Sequence, residues 1–480
     1  MNVPYKQFIN GEWVDASNGK TWDVINPATE QAVRTVPFGN DDDCRAAITA
    51  AEKAFPAWSR LTAYNRADIL MRASRLIAER LETLHKTNIA ESGKPIADAK
   101  GDWLAAAALF EWFAEEGKRA YGRTVPSRRA GRRQLVLRQP VGVVGIITAW
   151  NFPAYNVARA TAAALAAGCT VVIRPSEYTP MTAMEMVALL HEAGIPKGVV
   201  NLVNGDPHAM GQEMLNNPAC RKIAFTGSVR VGKLLMDGAS RTVTRLSLEL
   251  GGNAPVLLFN DSDIDALAAG AVSAKYRNNG QVCVSPQRFF VHRKVRDQFV
   301  ERVVPLARAL RVGNGAQADT QVGPLINARQ RDRVEELVNA APGEGAEIAT
   351  GGARPDFLTQ GYFFQPTVIS GVKPEARLFN EEVFGPVMPV IDFDDVDEAI
   401  ELANRTSYGL AAYVFTENLK VAARCWERLE FGMVGVNEWG VSSIEAPFAG
   451  WKQSGIGREC GQEGLDDYLE TKLVALAGIE

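Results

Sequence analysis

The chain has 480 residues, 46% hydrophobic and 22% charged, an ordinary globular composition that excludes a disordered, collagen-like or disulfide-stapled protein. Lys plus Arg total 52 against 56 Asp plus Glu, a net charge of −4 that gives no electrostatic case for nucleic acid. The length fits about three domains, or two with a small appendage.

Short strands are expected over residues 8–14, 22–25 and 31–37, among turn formers. Residues 41–117 read as helical. Ala46, Ala47, Ala50, Ala51 and Ala54 recur at helical spacing, as do Leu70, Ala73, Ile77 and Leu81. A basic segment, 121–138, with Arg128, Arg129, Arg132, Arg133 and Arg138, interrupts this pattern. With no interleaved aromatics it reads as a solvated strand or an interface segment.

From Pro140 onward, β-branched runs alternate with helical ones: VGVVGIIT, a helix over 154–167, TVVIR, a helix over 181–193, GVVNLV and KIAFT. A second series begins at APVLLF, with helices over 264–274 and 295–310 and the strand RFFVH, and continues through VIDF, AAYVFT and GMVGVN. Such alternation predicts two α/β domains, each a parallel sheet covered by helices, with ligand at the carboxyl ends of the strands. The last segment, 468–479, reads as an edge strand without a partner nearby in sequence.

The longest apolar stretches, such as 141–149, fall short of the roughly 18 residues of a membrane span. The N-terminus lacks a basic segment followed by an apolar one, so no secretory signal is expected and a cytoplasmic location is. Six cysteines lie far apart with no CxxC pair, which argues against a disulfide framework or a structural zinc site. Four histidines and no HExxH likewise give no support to a metalloenzyme.

Gly227, Gly232 and Lys233 form a G-x-x-x-x-G-K pattern between a strand and a helix. A P-loop needs Ser or Thr next for Mg²⁺, and Leu234 stands there. What survives is a helix N-terminus able to hold a phosphate; the G-x-G-x-x-G fingerprint is missing. Cys283, in NNGQVCVSPQR, lies beyond a glycine that permits close backbone approach. It is either a buried, inert thiol or a nucleophile whose thiolate something stabilises. Glu249, between Leu248 and Leu250, is either a strand-end surface residue or a partly desolvated carboxylate with the raised pKa of a general base. Asn151 follows a strand's carboxyl end, as a turn former or an oxyanion donor.

Together, WNFP, IRPSE, FTGS, LELGG, GQVC, EEVFGP and APFAGWKQSGIGRE stand in the order and at the intervals of the NAD(P)-dependent aldehyde dehydrogenase superfamily, which the chain resembles over nearly its whole length. The resemblance implies an α/β fold with a Rossmann-like cofactor domain (1–119 and 141–252), an α/β catalytic domain (253–453) and a small β oligomerisation element (120–140 and 454–480). The element implies a homodimer or homotetramer, with the tail pairing across a subunit boundary. By the same match Cys283 is the nucleophile, Glu249 the general base and Asn151 an oxyanion donor. Cofactor contacts carry over to Trp150, Arg174, Glu177, Gly227, Ser228, Leu250, Glu382 and Phe384. Glu177 would accept from ribose hydroxyls, which favours NAD; Arg174, where the family usually has lysine, could pair with a 2′-phosphate, so NADP is the alternative cofactor. A second departure is Ala449, where glycine is usual.

Arg159, Arg277 and Ser442 match the carboxylate-binding residues of succinate semialdehyde dehydrogenases. Two guanidiniums near an aldehyde site call for an anion, from the substrate or from the protein itself. The implied substrate is therefore a semialdehyde with a distal carboxylate. The alternatives are α-ketoglutaric semialdehyde, which EWFAEEGKRAYGR suggests, a sulfonated or phosphorylated aldehyde, and a broad range of aliphatic aldehydes. Ser285 replaces the second cysteine of a redox switch known in some members, so no such switch is expected. A P-loop hydrolase and a non-catalytic scaffold are the competing classes; the scaffold would need Cys283, Glu249 or Asn151 to be lost.

Overall fold

The structure, a computed structural model, describes residues 3–478. The expected end points at residues 1, 479 and 480 lie outside them. In the first large sheet the parallel strands run in the order Val200–Leu202, Thr170–Arg174, Val143–Ile147, Cys220–Thr226 and Arg245–Glu249. Antiparallel edges are added by a hairpin, Gln7–Ile9 with Glu12–Val14, and by Gly455–Ile456. All ten residues of the two strands Val143–Ile147 and Thr170–Arg174 are buried, as parallel strands covered by helices on both faces require. From Val143–Ile147 the chain goes first to one side and then to the other. The crevice at that switch point, outside the strands' carboxyl ends, is where a ligand is favoured.

The second sheet has the order Glu347–Thr350, Thr367–Ser370, Val387–Phe393, Pro286–His292, Ala254–Leu258, Ala411–Phe415 and Met433–Val436, parallel except at its first pair. Here the geometry departs from the sequence expectation. The residues this sheet offers to the cleft, Cys283 and Val284, Glu382 and Phe384, precede strands. The cleft thus lies between the carboxyl ends of one sheet and the amino ends of the other.

The region expected as helical is four helices, Asp41–Ser59, Ala63–Glu79, Leu81–Ser92 and Ile96–Glu116. Thr62 caps the second by accepting from the Asn65 amide at 3.2 Å. The third ends at Gly93 in the left-handed region, φ 75°. The expected 8–14 strand is interrupted at Asn10 and Gly11, φ 53° and 82°, the pair that a tight hairpin turn demands.

The C-terminal strand Leu469–Ala477, expected as an edge strand with no partner nearby in sequence, finds one more than 300 residues earlier in the chain. It pairs antiparallel with Arg132–Pro140, from Leu469 opposite Pro140 to Ala477 opposite Arg132. Arg123–Val125 completes a three-stranded sheet in which Leu469–Ala477 is an edge. Among the described residues no helix is long and apolar enough to cross a membrane.

Candidate active site

A cleft of about 1220 Å³ runs between the two large sheets. Asn151, Glu249 and Cys283 line it, as do Arg159, Arg277 and Ser442, and Trp150, Gly227, Ser228, Leu250, Glu382 and Phe384. Arg174 and Glu177 do not. They lie beside the same strand ends, where Arg174 donates to Glu177 at 2.8 Å and to the Gly205 carbonyl at 2.9 Å.

Asn151 follows the strand Val143–Ile147 and precedes the helix Pro153–Ala167, which carries proline in its first turn. It is 5% exposed. Its amide nitrogen donates to the Gln281 carbonyl at 3.1 Å and its side-chain oxygen accepts from Asn156 at 3.2 Å. One amide proton remains for an oxygen arriving in the cleft.

Three successive left-handed residues, Asn278 (φ 47°), Asn279 (φ 56°) and Gly280 (φ 70°), turn the chain toward Cys283. A Cβ on Gly280 would collide with the Gly385 carbonyl oxygen, so glycine is required there. Cys283 is partly exposed, whereas the other five cysteines are buried. Burial pushes its thiol up to about 12, with Arg159 opposing and Glu249 and Glu382 adding to the rise.

Glu249 ends the strand Arg245–Glu249 and is 3% exposed. Neither carboxyl oxygen receives a hydrogen bond from the protein. Burial and the neighbouring Glu459 raise its pKa well above the carboxylate range, against Arg159. A buried polar group left without a partner is costly and is a mark of function.

Arg159, on the helix Pro153–Ala167, is 2% exposed and ion-paired with Glu459. It also donates to Thr226 Oγ1 at 3.3 Å and lies over Phe448, 4.6 Å from the ring centre. The protein therefore supplies its anion. Glu459 was missed as a site residue, although it stands in the GIGRE segment; nothing in one sequence says which cation it meets 300 positions away. Arg277 makes no ion pair with a carboxylate among the described residues and lies 5.5 Å from the Phe152 ring centre. Glu445 shares the rim with Ser442; its carboxyl is held below the usual range by its own backbone amide and by Ser443.

The cleft's other end suits a dinucleotide. Gly227 and Ser228 lead into the helix Val229–Ala239, a helix N-terminus of the kind that can hold an anion, and Arg230, Arg329 and Arg333 add positive charge. Leu234 is 57% exposed and lies outside the cleft, so the P-loop reading gains nothing. Glu382 accepts from the Gly252 amide at 3.0 Å, and burial pushes it up to about 7. Phe384 meets Trp150 edge to face at 5.5 Å. Gln330 donates to the Val383 and Phe384 carbonyls at 3.2 and 3.0 Å, fixing that loop; only the fold could reveal this role. Ala449 is buried and has no positive φ, so its backbone does not demand the family's glycine.

A dinucleotide-type sheet facing a cysteine, a desolvated carboxyl and a side-chain amide across one cleft defines an NAD(P)-dependent oxidoreductase acting on aldehydes. The chain belongs to the aldehyde dehydrogenase family, whose model matches residues 13–474. It is 43% identical to the glutarate-semialdehyde dehydrogenase of Pseudomonas putida, covering 98% of this chain and 97% of that protein. It is 44% identical, with the same coverage, to the NADP(+) succinate-semialdehyde dehydrogenase of Escherichia coli. A crystal structure of succinate-semialdehyde dehydrogenase from Burkholderia pseudomallei superimposes with a TM-score of 0.97 at 45% identity, covering 99% of this chain and 98% of that one.

Proposed function

We propose that this chain oxidises a semialdehyde bearing a distal carboxylate, such as succinate semialdehyde, to the corresponding acid. The observation that carries the reading is the unpaired guanidinium of Arg277 in the same cleft as Cys283, Glu249 and Asn151. The relatives named for succinate and glutarate semialdehydes support it. Arg277 and Ser442 hold the substrate carboxylate, while Arg159, committed to Glu459, stands behind them as a charge balance. α-Ketoglutaric, sulfonated and phosphorylated aldehydes share the anionic chemistry and are the alternatives.

The Cys283 thiol gives up its proton to solvent water, and the thiolate so formed bonds to the aldehyde carbon. The electron pair displaced onto oxygen is met by Asn151 Nδ2 and the Cys283 backbone amide. When bound, NAD(P) supplies the two-electron acceptor that takes hydride from that carbon. Glu249 then removes a proton from water as its oxygen attacks the cysteine thioester, the C–S bond breaks, and the acid leaves. The unpartnered carboxyl oxygens of Glu249 leave room for that water.

Trp150, Gly227, Ser228, Leu250, Glu382 and Phe384 hold the cofactor. NAD is preferred, because Arg174 is engaged by Glu177 and the Gly205 carbonyl rather than free for a 2′-phosphate. Residues 1–119 and 141–252 form the cofactor domain and 253–453 the catalytic one, while 120–140 and 454–480 assemble a homodimer or homotetramer. The enzyme works in the cytoplasm.

The test compares NADH and NADPH formation with succinate semialdehyde and with an uncharged aldehyde of similar length. Arg277→Ala raises KM for the acidic aldehyde about 10- to 100-fold, the weight of a charged hydrogen bond, and leaves the neutral one unchanged. Equal use of both aldehydes by the unmodified enzyme overturns the substrate class.

A further inference from the structure

Behind the Asn151 wall lies a buried charge that the mechanism does not use. The side chains of Lys94 and Asp102 are both 0% exposed and 3.3 Å apart. A charge taken wholly out of water is costly unless every partner is well placed. The Lys94 ammonium donates to the Asn151 carbonyl at 2.8 Å and lies 4.3 Å from the centre of the Phe152 ring. Asp102 accepts from the Tyr155 amide at 2.8 Å and from Asn88 at 2.8 Å, which ties the ammonium to the first turn of the helix that follows Asn151.

The same carbonyl accepts a second hydrogen bond, at 3.0 Å, from Asn278. Asn278 also donates to the Gln281 carbonyl at 3.2 Å, and its own amide is held by Asp98 at 3.0 Å. The peptide of Asn151 and the turn leading to Cys283 are therefore held together by the loop and first helical turn that carry Lys94 and Asp98. Lys94 itself does not reach the cleft.

We infer that Lys94, held by Asp102, is a positioning residue that fixes the Asn151 amide relative to Cys283. This rests on the reading of Asn151 as the oxyanion donor. A preorganised donor loses its value when it moves by about 1 Å, a displacement worth up to about 100-fold in rate. The physical content is that Lys94 acts through Asn151, and residues that act as a unit are non-additive.

The experiment is a double-mutant cycle on the full-length enzyme, measuring kcat, KM for both substrates, and NAD affinity by fluorescence quenching. Lys94→Met should lower kcat about 10- to 100-fold in the unmodified enzyme, with little change in NAD affinity. In an Asn151→Ala background the same change should cost less than about 2-fold. Lys94→Gln, which keeps a donor toward the Asn151 carbonyl, should recover part of the loss; it carries the cycle alone if the Met variant is insoluble. An equal loss in both backgrounds, or unchanged kcat in both Lys94 variants, overturns the inference. If Asn151→Ala by itself keeps full kcat, the oxyanion reading beneath it fails, and the single variant shows this before the cycle is closed.

Discussion

Two acids whose pKa values burial raises face one cleft, and a charge on either makes the other harder to ionise. Cys283 is pushed up to about 12 by burial, with Glu249 among the groups that raise it further. A thiolate forms more readily when a neighbouring negative charge is removed, so Glu249→Gln should shift alkylation of Cys283 by iodoacetamide to lower pH. An unshifted alkylation profile shows that the two groups do not sense each other. The same variant should give one burst of NADH and then turn over slowly, because the thioester lacks its base; steady turnover at the original rate removes Glu249 from that role. Both residues were singled out by their motifs, and they line one cleft. The ion pair of Arg159 with Glu459 was not legible, because a single sequence shows which groups are charged and not which of them meet. Of the two arginines matched to a substrate carboxylate, that pairing leaves Arg277 as the one without a carboxylate ion pair among the described residues.

The alternation of β-branched and helical runs made both parallel sheets legible, since strands buried on both faces must be apolar throughout. Its failures are local or distant. The hairpin at Asn10 and Gly11 needed its dipeptide read as a turn, and the pairing of Leu469–Ala477 with Arg132–Pro140 joins segments more than 300 residues apart. The strand Glu347–Thr350 and the helix Ala328–Ala340, which carries Gln330 and Arg333, had too few apolar positions to stand out. Among the helices, Pro180–Glu192 carries Glu185, whose Oε1 accepts from Tyr5 at 2.8 Å and Thr87 at 2.7 Å while Oε2 is buried without a partner. Burial pushes this carboxyl up to about 7. The folded form therefore holds the proton more tightly than the unfolded one. The associated stability is present below the ordinary carboxylate range and is lost as pH rises to about 7. Glu185→Gln keeps the acceptor and cannot ionise, so urea unfolding at pH 5 and pH 8 should show a smaller loss across that interval than in the unmodified enzyme. An identical loss means that Glu185 does not contribute to it.

On the scale of the whole molecule, the three-stranded sheet ends in Leu469–Ala477, whose outer edge is unpaired among the described residues and whose Leu473 is 63% exposed. An open strand edge is a template for another chain. On the proposal that this edge joins subunits, Leu473→Lys should sediment as smaller species than the unmodified enzyme; an unchanged sedimentation coefficient overturns that proposal for this edge. The orphaned carboxyl of Glu249 has a consequence of another kind. A site that must keep a reactive group desolvated and unsatisfied is a reserve of stability the fold forgoes in order to be a catalyst. Glu249→Gln, which cannot carry the buried charge, should therefore melt above the unmodified enzyme at pH 8 while being nearly inactive. In calorimetry, an equal or lower midpoint would mean that the carboxyl is at ease where it sits. Activity and robustness are then opposed at one atom pair, and sequences selected for heat resistance alone would drift toward dead enzymes at this position.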